Sequence, residues 1–150
     1  MQFKQFTEEE VRLVRHATHD THNLLGRAKT ILQKIKSVFD SEYAKEEWGV
    51  NFDLQNDGNV AIDTPYGEAR IRLVFSVDEK GSRCQCLVEK VELNRQDQKE
   101  WIPVWAIWVT ELGVFPGSEI APPMPTFGNS NGYAMLALSI LYAVARGPEK

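Results

Sequence analysis

The chain has 150 residues, a formal net charge of −4 and a hydrophobic content of 43%. At this length we expect one folded domain over residues 1–150, with enough buried surface to fold without a disulfide or a structural metal. The acidic balance argues against a nucleic-acid-binding protein, because such proteins need a basic surface to meet phosphate groups.

The sequence also lacks the signals of secretion and membrane insertion. The first ten residues, MQFKQFTEEE, have no apolar segment of the signal-peptide type. The longest apolar run, Tyr133 to Val144, is shorter than the roughly 20 residues that cross a membrane. Two cysteines give no disulfide framework. We therefore expect a cytoplasmic protein with free thiols, no membrane association and no cofactor.

A long helix is predicted from about Glu8 to about Phe39. Thr7 and Glu10 form a T-x-x-E capping box, and an apolar stripe follows at helical spacing. Such a helix is about 48 Å long, more than a domain of this size requires. It is therefore expected either to bend near residues 18–26 or to overhang and pair with a second copy.

All three histidines lie in the segment HATHDTH, residues 16–22 of this helix. His16, His19 and Asp20 are spaced to lie near each other on one helix face, and imidazole and carboxylate groups suit transition metals. The same face is predicted to lie opposite the apolar stripe, and the sequence shows no second cluster of ligands. A solvated face is the favoured interpretation, a pH-sensitive contact surface is second, and a metal site is third.

The middle of the chain predicts antiparallel strands joined by short turns. Alternating apolar residues mark strands within residues 50–62, 69–77 and 83–93, and the turn sequences NDGN, TPYG and DEKGS accompany them. A further strand, WIPVWAIWV at residues 101–109, is apolar on both faces. Pro103 within it favours an edge strand or a bulge.

The last part of the chain predicts an irregular, proline-rich segment over residues 110–129 and then an apolar helix, YAMLALSILYAVA. Ser130 or Asn129 can cap this helix, and Gly147 and Pro148 can end it. The order of elements predicts an α+β fold. It consists of a long N-terminal helix, an antiparallel meander of about five strands and an apolar C-terminal helix, packed as a two-layer sandwich.

Other polar or reactive groups are interpreted as structural. Cys84 and Cys86 share one strand face and are predicted to be buried packing groups rather than reactive thiols. Arg70 and Arg72 share the outer face of one predicted strand, with Glu89 on its neighbour, and are predicted to be solvated. The sequence contains no G-x-S-x-G, nucleotide-binding glycine loop or paired-carboxylate motif.

These observations favour a non-enzymatic protein-binding domain, such as an inhibitor, an immunity protein or a chaperone-like adaptor. Its binding surface is predicted from the aromatic and proline-rich residues near the end of the chain, and the acidic balance favours a basic protein partner. The residues predicted to contact the partner are Trp101, Trp108, Phe115, Met124 and Phe127. A homodimer through the long helix or the tryptophan-rich strand is compatible with this hypothesis and with the alternative that follows.

The alternative hypothesis is a small-ligand-binding or enzymatic α+β domain that uses residues 111–129 as a lid. Its polar candidates are His16, Asp20 and the segment 129–131. A deep pocket beneath the lid would favour this alternative, whereas an exposed patch of tryptophan and phenylalanine would favour the protein-binding hypothesis.

Overall fold

The computed structural model describes residues 1–120, 122–124 and 130–148 of the chain. Two helices precede the sheet, α1 (Glu8–Phe39) and α2 (Glu42–Glu47), and a third, α3 (Ser130–Arg146), follows it. The strands between them are β1 (Asn51–Leu54), β2 (Val60–Thr64), β3 (Gly67–Asp78), β4 (Gly81–Leu93), β5 (Lys99–Thr110) and β6 (Gly113–Pro116). The α+β class and the order of a long helix, a meander and a final helix are therefore confirmed.

Helix α1 begins at the predicted capping box and runs without interruption through HATHDTH. The Thr7 hydroxyl accepts a hydrogen bond from the Glu10 N–H at 3.1 Å, and the Glu10 carboxylate accepts one from the Thr7 N–H at 3.0 Å. The residues of α1 that are buried against the rest of the fold are Ala17, Leu24, Ala28, Ile31, Leu32, Ile35 and Phe39. All residues before Ala17 are exposed, so the first part of the helix overhangs the sheet.

The strands form one antiparallel sheet in the order β1-β2-β3-β4-β5-β6. The predicted count of about five strands is one too low, because β6 lies in the segment expected to be irregular. Glu111 and Leu112 form a short turn, after which Gly113 pairs with Thr110. Gly113 has φ 140°, a conformation that glycine adopts readily and other residues rarely. This turn returns the chain alongside β5.

Pro103 lies beside a bulge and on a strand edge, as its residue type predicts. The register between β4 and β5 shifts after Val88, which lies opposite Trp105, so that Glu89 lies opposite Pro103. Strand β6 pairs with β5 only over residues 107–110, which leaves the Pro103 part of β5 beyond β6. A proline is tolerated at such a position because the ladder there does not require its missing N–H.

The core lies between one face of the sheet and the helices. It takes Ile71, Cys84, Cys86 and Val88 from the two central strands and Leu136, Ala137, Ile140, Ala143 and Val144 from α3. Both cysteines are therefore buried packing groups, as predicted. The hydrogen bond with the Cys84 thiol and burial both raise the pKa of the Cys86 thiol. Successive side chains of a strand point to opposite faces, so the residues between these positions form the other face, which we call the outer face.

Candidate functional site

A groove of about 790 Å³ lies at one end of the sheet, where the β3–β4 turn, the β5–β6 turn and residues 117–120 meet. We call it the Trp108 groove. Trp108 and Phe115 lie opposite each other on β5 and β6, so both belong to the outer face. The apolar lining consists of Trp108, Leu112, Phe115 and Ile120. Leu112 and Ile120 are strongly exposed, whereas Phe115 is buried, so the groove has a fixed aromatic base and an open aliphatic rim.

Gly117 allows the chain to turn tightly beside this groove. It has φ 78°, and its N–H donates a hydrogen bond to the Ala106 carbonyl at 2.8 Å. A Cβ at this position would lie 3.0 Å from Nε1 of Trp105. The backbone conformation and the close approach both favour glycine. The tight turn places Glu119 and Ile120 at the rim of the groove.

Arg83 connects the sheet to the segment that follows β6. Its Nη1 donates hydrogen bonds to both carboxylate oxygens of Glu119 at 2.9 Å and lies 3.1 Å from a carboxylate oxygen of Asp78. The guanidinium carbon lies 5.5 Å from the centroid of the Trp108 ring, which is within the range of a cation–π interaction. One cation therefore holds the β3–β4 turn and residues 117–120 beside the Trp108 ring.

The rim of the groove carries more negative than positive charge. The charged side chains that line it are Asp20, Asp78, Glu111 and Glu119, with Lys80 and Arg83. The positive charge of Arg83 is already shared between Asp78 and Glu119. A ligand that brings positive charge is therefore favoured over one that brings negative charge.

The structure brings two of the predicted contact residues, Trp108 and Phe115, together in this groove. Trp101 lies elsewhere, although it was predicted for the same surface. The guanidinium carbon of Arg70 lies 4.1 Å from the centroid of the Trp101 ring, and the two residues line a separate groove of about 380 Å³. Trp101 and Trp108 of β5 therefore line two separate grooves.

Met124, another of the predicted contact residues, does not line the Trp108 groove. The Met124 N–H donates a hydrogen bond to the Val114 carbonyl at 2.7 Å, and its side chain packs against the core. Met124 therefore forms an isolated β-bridge with Val114 at the edge of β6. Phe127 lies outside the described residues.

The histidines of HATHDTH lie on the exposed side of α1, as the helical phase of His16 and His19 predicts. His16 and His19 are exposed, whereas Asp20 is half-buried and lines the Trp108 groove. Within residues 1–120, 122–124 and 130–148, no group of three or more His, Cys, Asp and Glu side chains is placed to hold a metal ion. The geometry therefore gives Asp20 the role of a negative charge at the groove.

The outer face also holds a buried carboxylate that the sequence interpretation missed. Glu89 is only 4% exposed, so the expectation of a solvated cluster is wrong for this residue. Its Oε1 accepts hydrogen bonds from Nε of Arg70 at 2.9 Å and from Nε of Arg72 at 2.8 Å. The ion pairs could have been predicted from the spacing of the residues, because Arg70 and Arg72 are two residues apart on one strand and Glu89 lies opposite Arg70 on the next.

Comparison of the chain with protein-family models, with curated proteins and with solved structures found no match in any of the three. In the part of the chain that the structure describes, no helix is long and apolar enough to span a membrane. The function is therefore inferred from the residues, shape and charge of the site.

Proposed function

We propose that this chain is a non-enzymatic protein-binding domain that receives a segment of a basic partner in the Trp108 groove. The segment would carry an aliphatic or aromatic side chain flanked by lysine or arginine. The observation that carries the proposal is the combination, in one groove, of exposed apolar side chains with a rim that is mainly acidic. Whether the domain acts as an inhibitor, an immunity protein or a chaperone-like adaptor would follow from the identity of the partner.

The rigidity of the groove supports this proposal. Trp108 and Phe115 project from paired strands, and Arg83 holds Glu119 close to the Trp108 ring. A partner segment would therefore meet an aromatic base that is held in place before binding, which lowers the entropic cost of association. Buried aromatic residues at the centre of an interface commonly contribute most of its binding free energy.

Selection from a random phage-displayed peptide library tests the proposal. The wild-type protein is the bait, and the Trp108→Ala variant is used for counter-selection. We expect enriched peptides with an apolar residue flanked by Lys or Arg, and a loss of at least about 2 kcal/mol of binding free energy in Trp108→Ala. Tyr66→Ala is the matched control, because Tyr66 is exposed in the turn between β2 and β3, at the opposite end of β3.

Two results would contradict the proposal. The first is enrichment of peptides with acidic flanks, because the rim charge would then not select the ligand. The second is equal affinity of the selected peptides for wild-type protein and Trp108→Ala, measured by fluorescence polarisation.

A small-ligand site is the second candidate function, favoured by one observation. The groove volume of about 790 Å³ lies within the range of roughly 300–1,000 Å³ that is typical of small-ligand pockets. Of the polar groups predicted for this alternative, Asp20 lines the groove, His16 is exposed on α1, and the segment 129–131 lies partly outside the described residues. A small molecule that native mass spectrometry finds on wild-type protein and not on Phe115→Ala would favour this candidate.

A further inference from the structure

The first part of α1 projects beyond the sheet with its apolar side chains uncovered. We call residues 1–16 the arm. Its exposed apolar residues, with their exposed fractions, include Phe3 (86%), Phe6 (66%), Val11 (57%) and Val14 (47%). Val14 precedes the buried Ala17 by three residues and therefore lies on the same side of the helix. The arm thus continues the apolar stripe that α1 buries further along its length.

A second uncovered apolar patch adjoins the arm, at the end of β3. Phe75 and Val77 alternate with the outer-face residues and so face the helices, yet they are 37% and 36% exposed. Val77 pairs with Ser82, and the Ser82 hydroxyl donates a hydrogen bond to the Ala17 carbonyl at 2.8 Å. The patch therefore lies close to the point where the arm leaves the sheet.

The arm and this patch lie toward one flank of α1, and the aromatic base of the Trp108 groove lies toward the other. Arg27 donates a hydrogen bond to the Thr110 carbonyl of β5, so its flank faces the strands of the groove. Leu25 is on the opposite flank, because a Cβ at Gly58 in the β1–β2 turn would lie 3.6 Å from its Cδ1. At about 100° per residue, Val14 lies within about 20° of Leu25. Val14 therefore faces the side of β3.

The chain cannot cover the β3 patch with its own Phe6. Thr7 caps α1 ten residues before Ala17, which corresponds to about 15 Å along the helix axis. Phe6 directly precedes Thr7, so its Cα lies within about 3.8 Å of the capping residue. The Phe6 side chain therefore falls well short of Val77 in the same molecule, whereas a second copy of the chain can bring its Phe6 to the patch.

The charges of the arm favour an antiparallel arrangement with a second, identical arm. Residues 8–10 are glutamates, and Arg12 and Arg15 follow them. Two parallel arms would place like charges side by side, which is destabilising on adjacent helices. Two antiparallel arms instead bring the glutamates of each copy toward the arginines of the other.

We propose that two copies of this chain associate through their arms as an antiparallel, two-fold symmetric dimer. Val11 of one copy then lies opposite Val14 of the second copy, and Phe6 reaches just beyond the level of Ala17 of the second copy. There it packs against Phe75 and Val77. The association leaves the aromatic base of the Trp108 groove uncovered, since Trp108 and Phe115 lie on the outer face whereas Phe75 and Val77 face the helices. This proposal therefore does not depend on the proposed function.

Sedimentation equilibrium of the full chain tests the association. We expect a wild-type dimer, with a dissociation constant that rises roughly tenfold or more in Phe6→Ser and in Phe75→Thr. Leu112→Ser, which changes an exposed apolar residue at the groove, should leave the constant unchanged. Circular dichroism and thermal unfolding establish that each variant is folded. A monomeric wild type at every soluble concentration, or weakening by Phe6→Ser and not by Phe75→Thr, would overturn the proposal.

Disulfide cross-linking tests the antiparallel orientation. Both native cysteines are fully buried, so a cysteine introduced on the arm is the accessible thiol. We expect a cross-link when Val11→Cys and Val14→Cys proteins are mixed, and much less from either variant alone. Efficient cross-linking of either variant with itself, as parallel arms would give, would overturn the proposed arrangement.

Discussion

Replacing Glu89 by glutamine removes one negative charge from a nearly buried site and preserves the shape of the side chain. The carboxylate accepts hydrogen bonds from Nε of Arg70 at 2.9 Å, and from Nε and Nη2 of Arg72 at 2.8 Å and 3.4 Å. Each hydrogen bond to a charged group contributes about 1.5–3 kcal/mol. The arginine side chains are 34% and 49% exposed, so solvent screens part of this contribution. Since glutamine retains one acceptor oxygen, we expect Glu89→Gln to lower the free energy of unfolding by about 1.5–3 kcal/mol at neutral pH.

The effect of Glu89→Gln should depend on pH in a defined direction. Burial alone would raise the pKa of Glu89, but the hydrogen bonds and positive charges of Arg72 and Arg70 outweigh burial and lower the pKa below its ordinary value of 4.5. A carboxyl group whose pKa is lower in the folded than in the unfolded protein stabilises the fold fully above the unfolded value. That stabilisation is lost as the pH falls through the folded value. The difference between wild type and variant should therefore be largest above the ordinary value of 4.5 and shrink as the pH falls below it.

Urea unfolding followed by tryptophan fluorescence measures both effects. Glu79→Gln is the matched control, because Glu79 is an exposed carboxylate in the turn between β3 and β4. The free energy of unfolding of Glu79→Gln should differ from that of wild type by less than about 0.5 kcal/mol, both at neutral pH and at acidic pH. Two results would refute the assignment of a stabilising charge to Glu89. One is an unchanged free energy of unfolding in Glu89→Gln, and the other is a difference between wild type and Glu89→Gln that is the same at neutral and at acidic pH.

Two further changes test the packing of the fold. Gly58 has φ 92°, and a Cβ there would lie 2.6 Å from Cδ1 of Leu73. Gly58→Ala should therefore destabilise the fold by roughly 1–3 kcal/mol in thermal unfolding, whereas Gly26→Ala, in α1 with open space around it, should stabilise it by up to about 1 kcal/mol. An unchanged Tm for Gly58→Ala would contradict the strain expected from the positive φ of this residue, because Cδ1 of Leu73 is the end of a flexible side chain. Cys84 and Cys86 should react with a thiol reagent only as fast as the protein unfolds, and rapid labelling of folded protein would show that they are accessible.

The elements that the sequence predicts well are those with local signals. Thr7 and Glu10 mark the start of α1 in a four-residue pattern, and the turns NDGN and TPYG mark two hairpins. Strand β6 has no such mark, because the turn at Glu111 and Leu112 lacks the residues that favour a tight hairpin. Its place is set by the pairing of Phe115 with Trp108 on β5. That pairing depends on the sheet rather than on a residue pattern within β6.

The sequence predicts which types of residue form the candidate site, but not which of them come together in the groove. Trp108 and Phe115 are identified as exposed aromatic candidates from β5 and the segment after it. Asp20 reaches the same groove only because α1 passes the end of the sheet, a contact between distant parts of the chain. Glu89 was assigned to a solvated face because strand alternation gives the side of a residue but not what covers it. Its burial comes from the arginine side chains laid over the carboxylate.

The phase of α1 keeps the two proposed contacts apart. Asp20 and Arg27 lie on the flank toward β5, whereas Val14 and Leu25 lie on the flank toward β3. A dimer formed through the arms would therefore carry two equivalent Trp108 grooves, one on each copy, and the aromatic base of each would stay uncovered. A partner with two suitable segments would bind such a dimer more tightly than a monomer, because the second contact becomes intramolecular. Weakening the dimer through Phe6 would then reduce the affinity for a two-segment partner and leave the affinity for a single peptide unchanged.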